Sequence, residues 1–277
     1  MLPQEYCRDV AAPPGSNFHY STLFETPEAR GILCALFAFL AEVNGALRHV
    51  QEPAVGRLRL HWWIEEIDRL QGGAVVHPVS LELGRLVRNT PGLQAELRGF
   101  LASALNHLDA PPPARYSDWM DQCAAVHGRI WTVTAHLCAG AETPLATDAG
   151  RIGGYLAALE DVQQLPISLR AGRCPFPIRE LEDRGLSAAT LGNPAMDSAA
   201  SRYLTETLER IRSDLMQVEL RLASVPARSL LFCRIMARLA AALCVELKEE
   251  GALLLSRRTS LTPIRKLWIA WRTRLNA

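Results

Sequence analysis

Apolar residues recur three and four positions apart over most of the chain, and the longest such run, 26–50 (TPEARGILCALFAFLAEVNGALRHV), predicts a central, mostly buried helix. Thr26 can cap it with its hydroxyl, Pro27 suits the first helical position, and Glu28 lies near the positive end of the dipole. Nothing interrupts the pattern before Pro53, so the helix reaches roughly 35 Å at 1.5 Å per residue. Leu33, Leu36, Phe37, Leu40, Val43 and Leu47 share its broad apolar face.

The remaining elements are also helical. Residues 1–23, with AAPPGSN inside them, read as an irregular lead-in with a short helix near Tyr6. A second helix opens at Pro53, carries Leu58, Trp62, Ile64, Ile67 and Leu70 on its apolar side, and stops at Gly72-Gly73; Trp62 and Trp63 are expected in the core. Helices follow over 80–88 and over LQAELRGFLASALNHL, which ends at Asp109 before a surface connection through Pro111, Pro112 and Pro113. Further helices are expected over 117–138 and 144–165, the latter passing through Gly153-Gly154, where missing side chains let a neighbouring helix approach. PISLRAGRCPFP holds three prolines and one glycine and is expected to be a loop over one mouth of the bundle. A brief helix over 178–184 precedes long ones over 197–223 and 227–256, the second bending near Glu249-Glu250-Gly251, and the last helix spans 263–275. No alternating strand pattern and no tandem repeat is present. The expected architecture is all-α, a single domain over 1–277 built as a bundle of about eight to ten helices.

Composition narrows the function classes. At 49% hydrophobic the 277 residues suffice for one large core, and 30 Lys and Arg against 29 Asp and Glu leave a net charge of +1 with no overall field for nucleic acid. The seven cysteines are widely spaced without a CxxC and read as small core residues in a reducing compartment. The N-terminus has no basic segment followed by an apolar run, and no stretch approaches ~18 uncharged apolar residues. A cytoplasmic location, peripheral to a membrane, is the expectation.

Four segments carry a resemblance. SNFHYSTLFETPEARGILCALFAF, VGRLRLHWWIEEIDRLQGG, AGRCPFPIRELEDRGLS and SRRTSLTPIRKLWIAW occur in the order and separation of matching segments in the squalene/phytoene synthase family, and the likeness covers nearly the whole chain. It implies an isoprenoid synthase fold with a central cavity, lined here by apolar residues such as Phe37, Leu40 and Leu159. Enzymes of the family join two prenyl diphosphates head to head, with magnesium held between two aspartate-rich helix segments. By resemblance the first segment falls on Asn44, Gly45 and Arg48, and none is a carboxylate. The second falls on Ala157, Glu160, Gln164 and Ser168, in a register anchored by Gly172-Arg173. The family tyrosine before the cysteine of its third helix is Gln122 here, and a small residue on that face is His127.

The loss spans both halves of the metal site, and a guanidinium at position 48 repels divalent cations. The resemblance therefore implies no metal and no catalytic residue, magnesium entering only if Glu42, Glu160 and Asp161 stand in as ligands. What survives is a basic set, Arg30, Arg173, Arg257, Arg258 and Lys266, which in relatives helps to hold diphosphate. The equal alternative is that these residues form structural salt bridges with Glu28, Glu66 and Glu180. Glu65, Glu66 and Asp68 are expected to form the wet face of their helix. Within the family the pattern resembles the non-catalytic branch of the mitochondrial complex I assembly factor, through Trp62-Trp63 and the aromatic end LWIAWRTRL. That likeness implies an assembly or chaperone-like factor for a membrane respiratory complex, with a prenyl lipid as the other candidate partner. The alternative is a head-to-head prenyltransferase with atypical ligands.

In the final helix Ile264, Leu267, Trp268, Trp271 and Leu275 form one stripe, flanked and backed by Arg265, Lys266, Arg272 and Arg274. Docking of this stripe against the bundle is the favoured reading, and contact of 263–275 with an anionic bilayer the other.

Overall fold

The structure, a computed structural model, describes residues 1–48, 52–140, 143–192, 198–224, 230–251 and 259–276. Among the described residues it is all-α and contains no strand. The first half comprises α1 (Pro3–Ala11), α2 (Asn17–Ser21), α3 (Pro27–Arg48), α4 (Pro53–Asp68), α5 (Pro78–Asn89) and α6 (Leu93–Leu108). The second comprises α7 (Tyr116–Cys123), α8 (Arg129–Ala139), α9 (Thr143–Gln163), α10 (Leu165–Arg170), α11 (Ile178–Glu182), α12 (Ala188–Leu191), α13 (Ser198–Ala223), α14 (Leu231–Glu250) and α15 (Pro263–Leu275).

The central helix is α3. Thr26 Oγ1 accepts the Ala29 N–H at 3.2 Å, and Leu33, Leu36, Phe37, Leu40, Val43 and Leu47 are all buried. Its hydropathy and length suit a membrane span, but most of it is covered by α1, α4, α5, α6 and α8, so it serves as a core helix. Where α3, α8, α14 and α2 meet, Trp131 stacks on Phe232 at 5.5 Å, Phe37 meets Trp131 edge-on at 5.0 Å, and Phe18 lies 4.4 Å from Phe37. Phe37, Leu40 and Leu159, expected to line a cavity, are buried in this core.

Glycine sets how closely α9 approaches α7 and α8. A Cβ on Gly128 would stand 2.7 Å from the Gly150 carbonyl oxygen, and one on Gly154 would stand 3.2 Å from the backbone of Ala124. Between α7 and α8 the helix widens into a π-helical turn over Ala124–Gly128 without ending.

Several sequence expectations need correction. The lead-in is largely helical: Pro3 starts α1, the Glu5 carboxylate accepts the Leu2 N–H at 3.0 Å, and Cys7 buries the helix against α3. PISLRAGRCPFP begins inside α10, because Pro166 falls in the first turn, where its missing N–H costs nothing. Around α4 apolar residues occur on every side, and burial selects Leu60, Trp63 and Ile67, leaving Leu58 and Trp62 exposed. Glu66 is buried, not on the wet face. It accepts the N–H groups of Val76 and His77 at 3.1 and 3.2 Å and a bond from Arg69 at 3.0 Å. Burial alone would raise its pKa, but these three bonds bring it below the usual carboxylate value. α14 ends at Glu250, and Gly251 beyond it has a φ of 53° that no ordinary helix residue adopts; the expected continuation over 252–256 lies outside the described residues.

The stripe on α15 does not dock against the bundle. Lys266, Ala270 and Thr273 face inward, and the apolar stripe faces out.

Candidate functional site

At one end of the bundle the C-terminal turns of α3 and α6 face α7, the π-turn, and the junction of α9 with α10. They enclose a cleft of about 480 Å³. Its floor is apolar, with Ala46, Leu47 and Leu108, and the chain through Pro111, Pro112 and Pro113 forms its rim instead of a plain surface connection. Cys174 also lines it, with a thiol pushed up by burial.

Of the residues singled out in the sequence, Gln122, His127, Asp161, Gln164, Ser168 and Arg173 are brought together here. Each amide already has a partner: Gln122 Nε2 donates to the Pro111 carbonyl at 2.9 Å and Gln164 Nε2 to Glu160 Oε1 at 2.7 Å. Arg173 reaches the Leu47 carbonyl at 3.5 Å, a cation placed against the C-terminal end of α3. Ala157 is buried nearby on α9 and offers no donor.

The other positions disperse. Asn44 does not line this cleft, and Gly45 opens instead onto a second one of about 390 Å³, between α3 and α4, shared with Glu42, Leu58, Arg59 and Trp62. Arg48 is the last residue of α3. Arg257 and Arg258 lie outside the described residues.

Arg30 and Lys266 are structural. The Arg30 guanidinium donates to the carbonyls of Thr22, Leu23 and Glu25 at 3.1, 3.0 and 3.3 Å, closing the turn between α2 and α3. Lys266 Nζ donates to the Gly15 carbonyl at 2.8 Å. Of the carboxylates named in the alternative, Glu66 pairs with Arg69, and Glu180 lies 3.8 Å from Arg210.

Sequence reading did not single out His107 and Cys123 for a site, and these join His127 and Asp161 in the polar wall of the cleft. Asp161 Oδ2 accepts the Trp119 indole N–H at 3.1 Å and faces the Cys123 thiol at 3.9 Å. The signal was available, since Trp119, Cys123 and His127 are four residues apart and so share one helix face.

An all-α bundle with one polar-walled cleft between the ends of its central helices defines the class as isoprenoid-synthase-like. The squalene/phytoene synthase family model matches residues 5–265, and the chain belongs to that family. Among solved structures it is similar to a dehydrosqualene synthase crystallised with ligand, at 13% identity, TM-score 0.82, and coverage of 99% of this chain and 95% of that one. It is also similar to the squalene synthase HpnC from Alicyclobacillus acidocaldarius, at 16% identity, TM-score 0.74, and coverage of 90% and 94%. No curated protein sequence matches it. At these identities the structural likeness establishes the fold.

A magnesium cluster requires several oxygen donors converging at about 2.1 Å. Gly45 and Ala157 have none, Glu160 is held by Gln164, and Asp161 is held by Trp119. Asn44 Oδ1 is buried without a hydrogen-bond partner, but a single neutral oxygen beside a glycine does not make a magnesium site. Among the described residues no group of three or more His, Cys, Asp or Glu is placed to hold a metal ion. The described residues do not fit the cluster.

Proposed function

We propose that this chain is a catalytically degenerate squalene/phytoene synthase relative that acts as an assembly or chaperone-like factor for a membrane respiratory complex of the complex I type, with the cleft retained for a prenyl lipid. The observation that carries this reading is the donor set. The two positions of the first motif with described side chains offer one amide and no carboxylate, and the only carboxylate of the second is hydrogen-bonded to Gln164, just beyond its own helix. Ionising an allylic diphosphate at neutral pH leaves a departing charge that such a set does not neutralise.

Substitute ligands do not restore the site. Glu42 accepts the Tyr6 hydroxyl at 2.7 Å and lines the other cleft, Glu160 is bonded to Gln164, and Asp161 holds Trp119. Three carboxylates committed to three different neighbours do not converge on one ion.

Incubating the pure chain with farnesyl or geranylgeranyl diphosphate and magnesium tests the proposal. No squalene, phytoene or released diphosphate above background is expected, and any of these products overturns degeneracy. The assembly role is tested separately by deleting the gene and resolving respiratory complexes on native gels. A lower level of assembled complex I, restored by the wild-type chain, is expected; an unchanged level refutes the assembly role.

A further inference from the structure

The orientation of α15 reverses that of an ordinary surface helix. Its inward face carries Lys266, Ala270 and Thr273, the last with its hydroxyl bonded to the Ile269 carbonyl at 2.7 Å. Its apolar stripe is turned to solvent, with Ile264, Leu267, Trp268, Trp271 and Leu275 exposed by 83, 47, 51, 50 and 63%. At 100° per residue these five occupy an arc of about 100°, and the stripe runs for about 16 Å. Leaving two tryptophans and three aliphatic residues uncovered on one helix is costly in water and calls for an occupant.

Charge indicates which occupant. Arg265 and Arg272 border the stripe on one side and Arg274 on the other, so the cations stand at its edges. Arg272 lies over the Trp268 ring at 5.0 Å, Arg274 over Phe24 at 4.8 Å, and Arg265 is paired with Glu246. From residue 251 to the end the sequence has six Lys and Arg and no Asp or Glu, in a chain whose net charge is only +1. An apolar ridge edged by arginines, with tryptophans on it, matches the layering of a bilayer surface: acyl chains meet the ridge, and anionic headgroups meet the cations.

We infer that α15 seats this protein on an anionic lipid surface, lying in the plane of the interface with Trp268 and Trp271 at headgroup level. The contact stands apart from the cleft and does not depend on what the cleft holds.

Flotation of the full chain with vesicles tests this. With about 30% phosphatidylglycerol in phosphatidylcholine, binding is expected to be at least tenfold tighter than to phosphatidylcholine alone, and to weaken as salt rises from about 0.1 to 0.5 M. The double variants Trp268→Ala/Trp271→Ala and Arg272→Glu/Arg274→Glu are each expected to lose at least tenfold. Their circular dichroism and melting should stay as in the wild type, because the side chains altered are exposed. Absence of binding to the anionic vesicles overturns the inference, as the stripe would then serve a protein partner. Variants that bind like the wild type overturn it too, by placing the contact elsewhere on the surface.

Discussion

Glu25 offers a quantitative test of how the bundle is closed at the start of α3. Its carboxylate faces the Phe232 backbone N–H, and its Oε1 is buried without a hydrogen-bond partner. Burial raises its pKa from the ordinary 4.5 to about 7, against the smaller opposing effects of the Phe232 bond and of Arg30. Between these two values the native protein keeps a proton that the unfolded chain has released, so stability falls as pH rises from 4.5 to 7 and is flat above. A shift of this size corresponds to about 3 kcal/mol at 1.36 kcal/mol per unit, or about 2–3 kcal/mol after allowing for residual solvent contact. The substitution Glu25→Gln removes the titration. Any packing cost of the amide is the same at every pH, so the stability of the variant minus that of the wild type should rise by about 2–3 kcal/mol between pH 4.5 and pH 8. Near the melting temperature an unfolding entropy of about 2.1 cal/mol/K per residue turns this into a relative gain of about 3–5 °C. Thermal melts of both proteins across that range provide the assay, and parallel pH profiles would refute the reasoning.

Five further substitutions probe other parts of the structure. Glu219, fully buried between α13 and α14, accepts Arg234 at 3.1 Å and Arg238 at 3.0 Å, so Glu219→Ala leaves an uncompensated buried cation and should cost about 3–5 kcal/mol in urea unfolding. Gly128→Ala drives a methyl into the Gly150 carbonyl and should cost about 1–3 kcal/mol by the same measurement, whereas Gly31→Ala on α3, with open space around it, should cost nothing. Arg30→Ala releases three carbonyls and should destabilise by about 1–3 kcal/mol, while Arg173→Ala should change stability by less than about 0.5 kcal/mol and weaken saturable binding of a prenyl diphosphate. Unchanged affinity in Arg173→Ala would count against a lipid-holding cleft.

The helices were legible wherever local chemistry marks their ends. Pro27, Pro53 and Pro263 each stand at the first helical position, and Gly140 and Gly185 adopt positive φ just beyond the helices they follow. Periodicity failed where it was nearly satisfied on two faces, as on α4, because only the neighbours decide whether Trp62 or Trp63 is covered. It fails again on α15, where the apolar stripe that periodicity assigns to the inward face is exposed. The family motifs converge on one end of the bundle through Gln122, Gln164, Ser168 and Arg173. The surviving basic set was a poorer guide, because an arginine that ties down backbone carbonyls, like Arg30, looks the same in sequence as one that awaits a phosphate.

The π-turn over Ala124–Gly128 has a consequence for how this chain tolerates change in length. Such a turn spends one residue more than a regular helix needs, which offsets the two flanking helices by roughly 100° of rotation. α7 can thus aim Trp119 at the cleft wall while α8 aims Trp131 at the central aromatic stack, with no loop between them. The turn is therefore a seam. Losing one residue there would leave a continuous, regular helix, but with its two halves brought back into step, so that it could no longer serve the cleft and the centre of the bundle together.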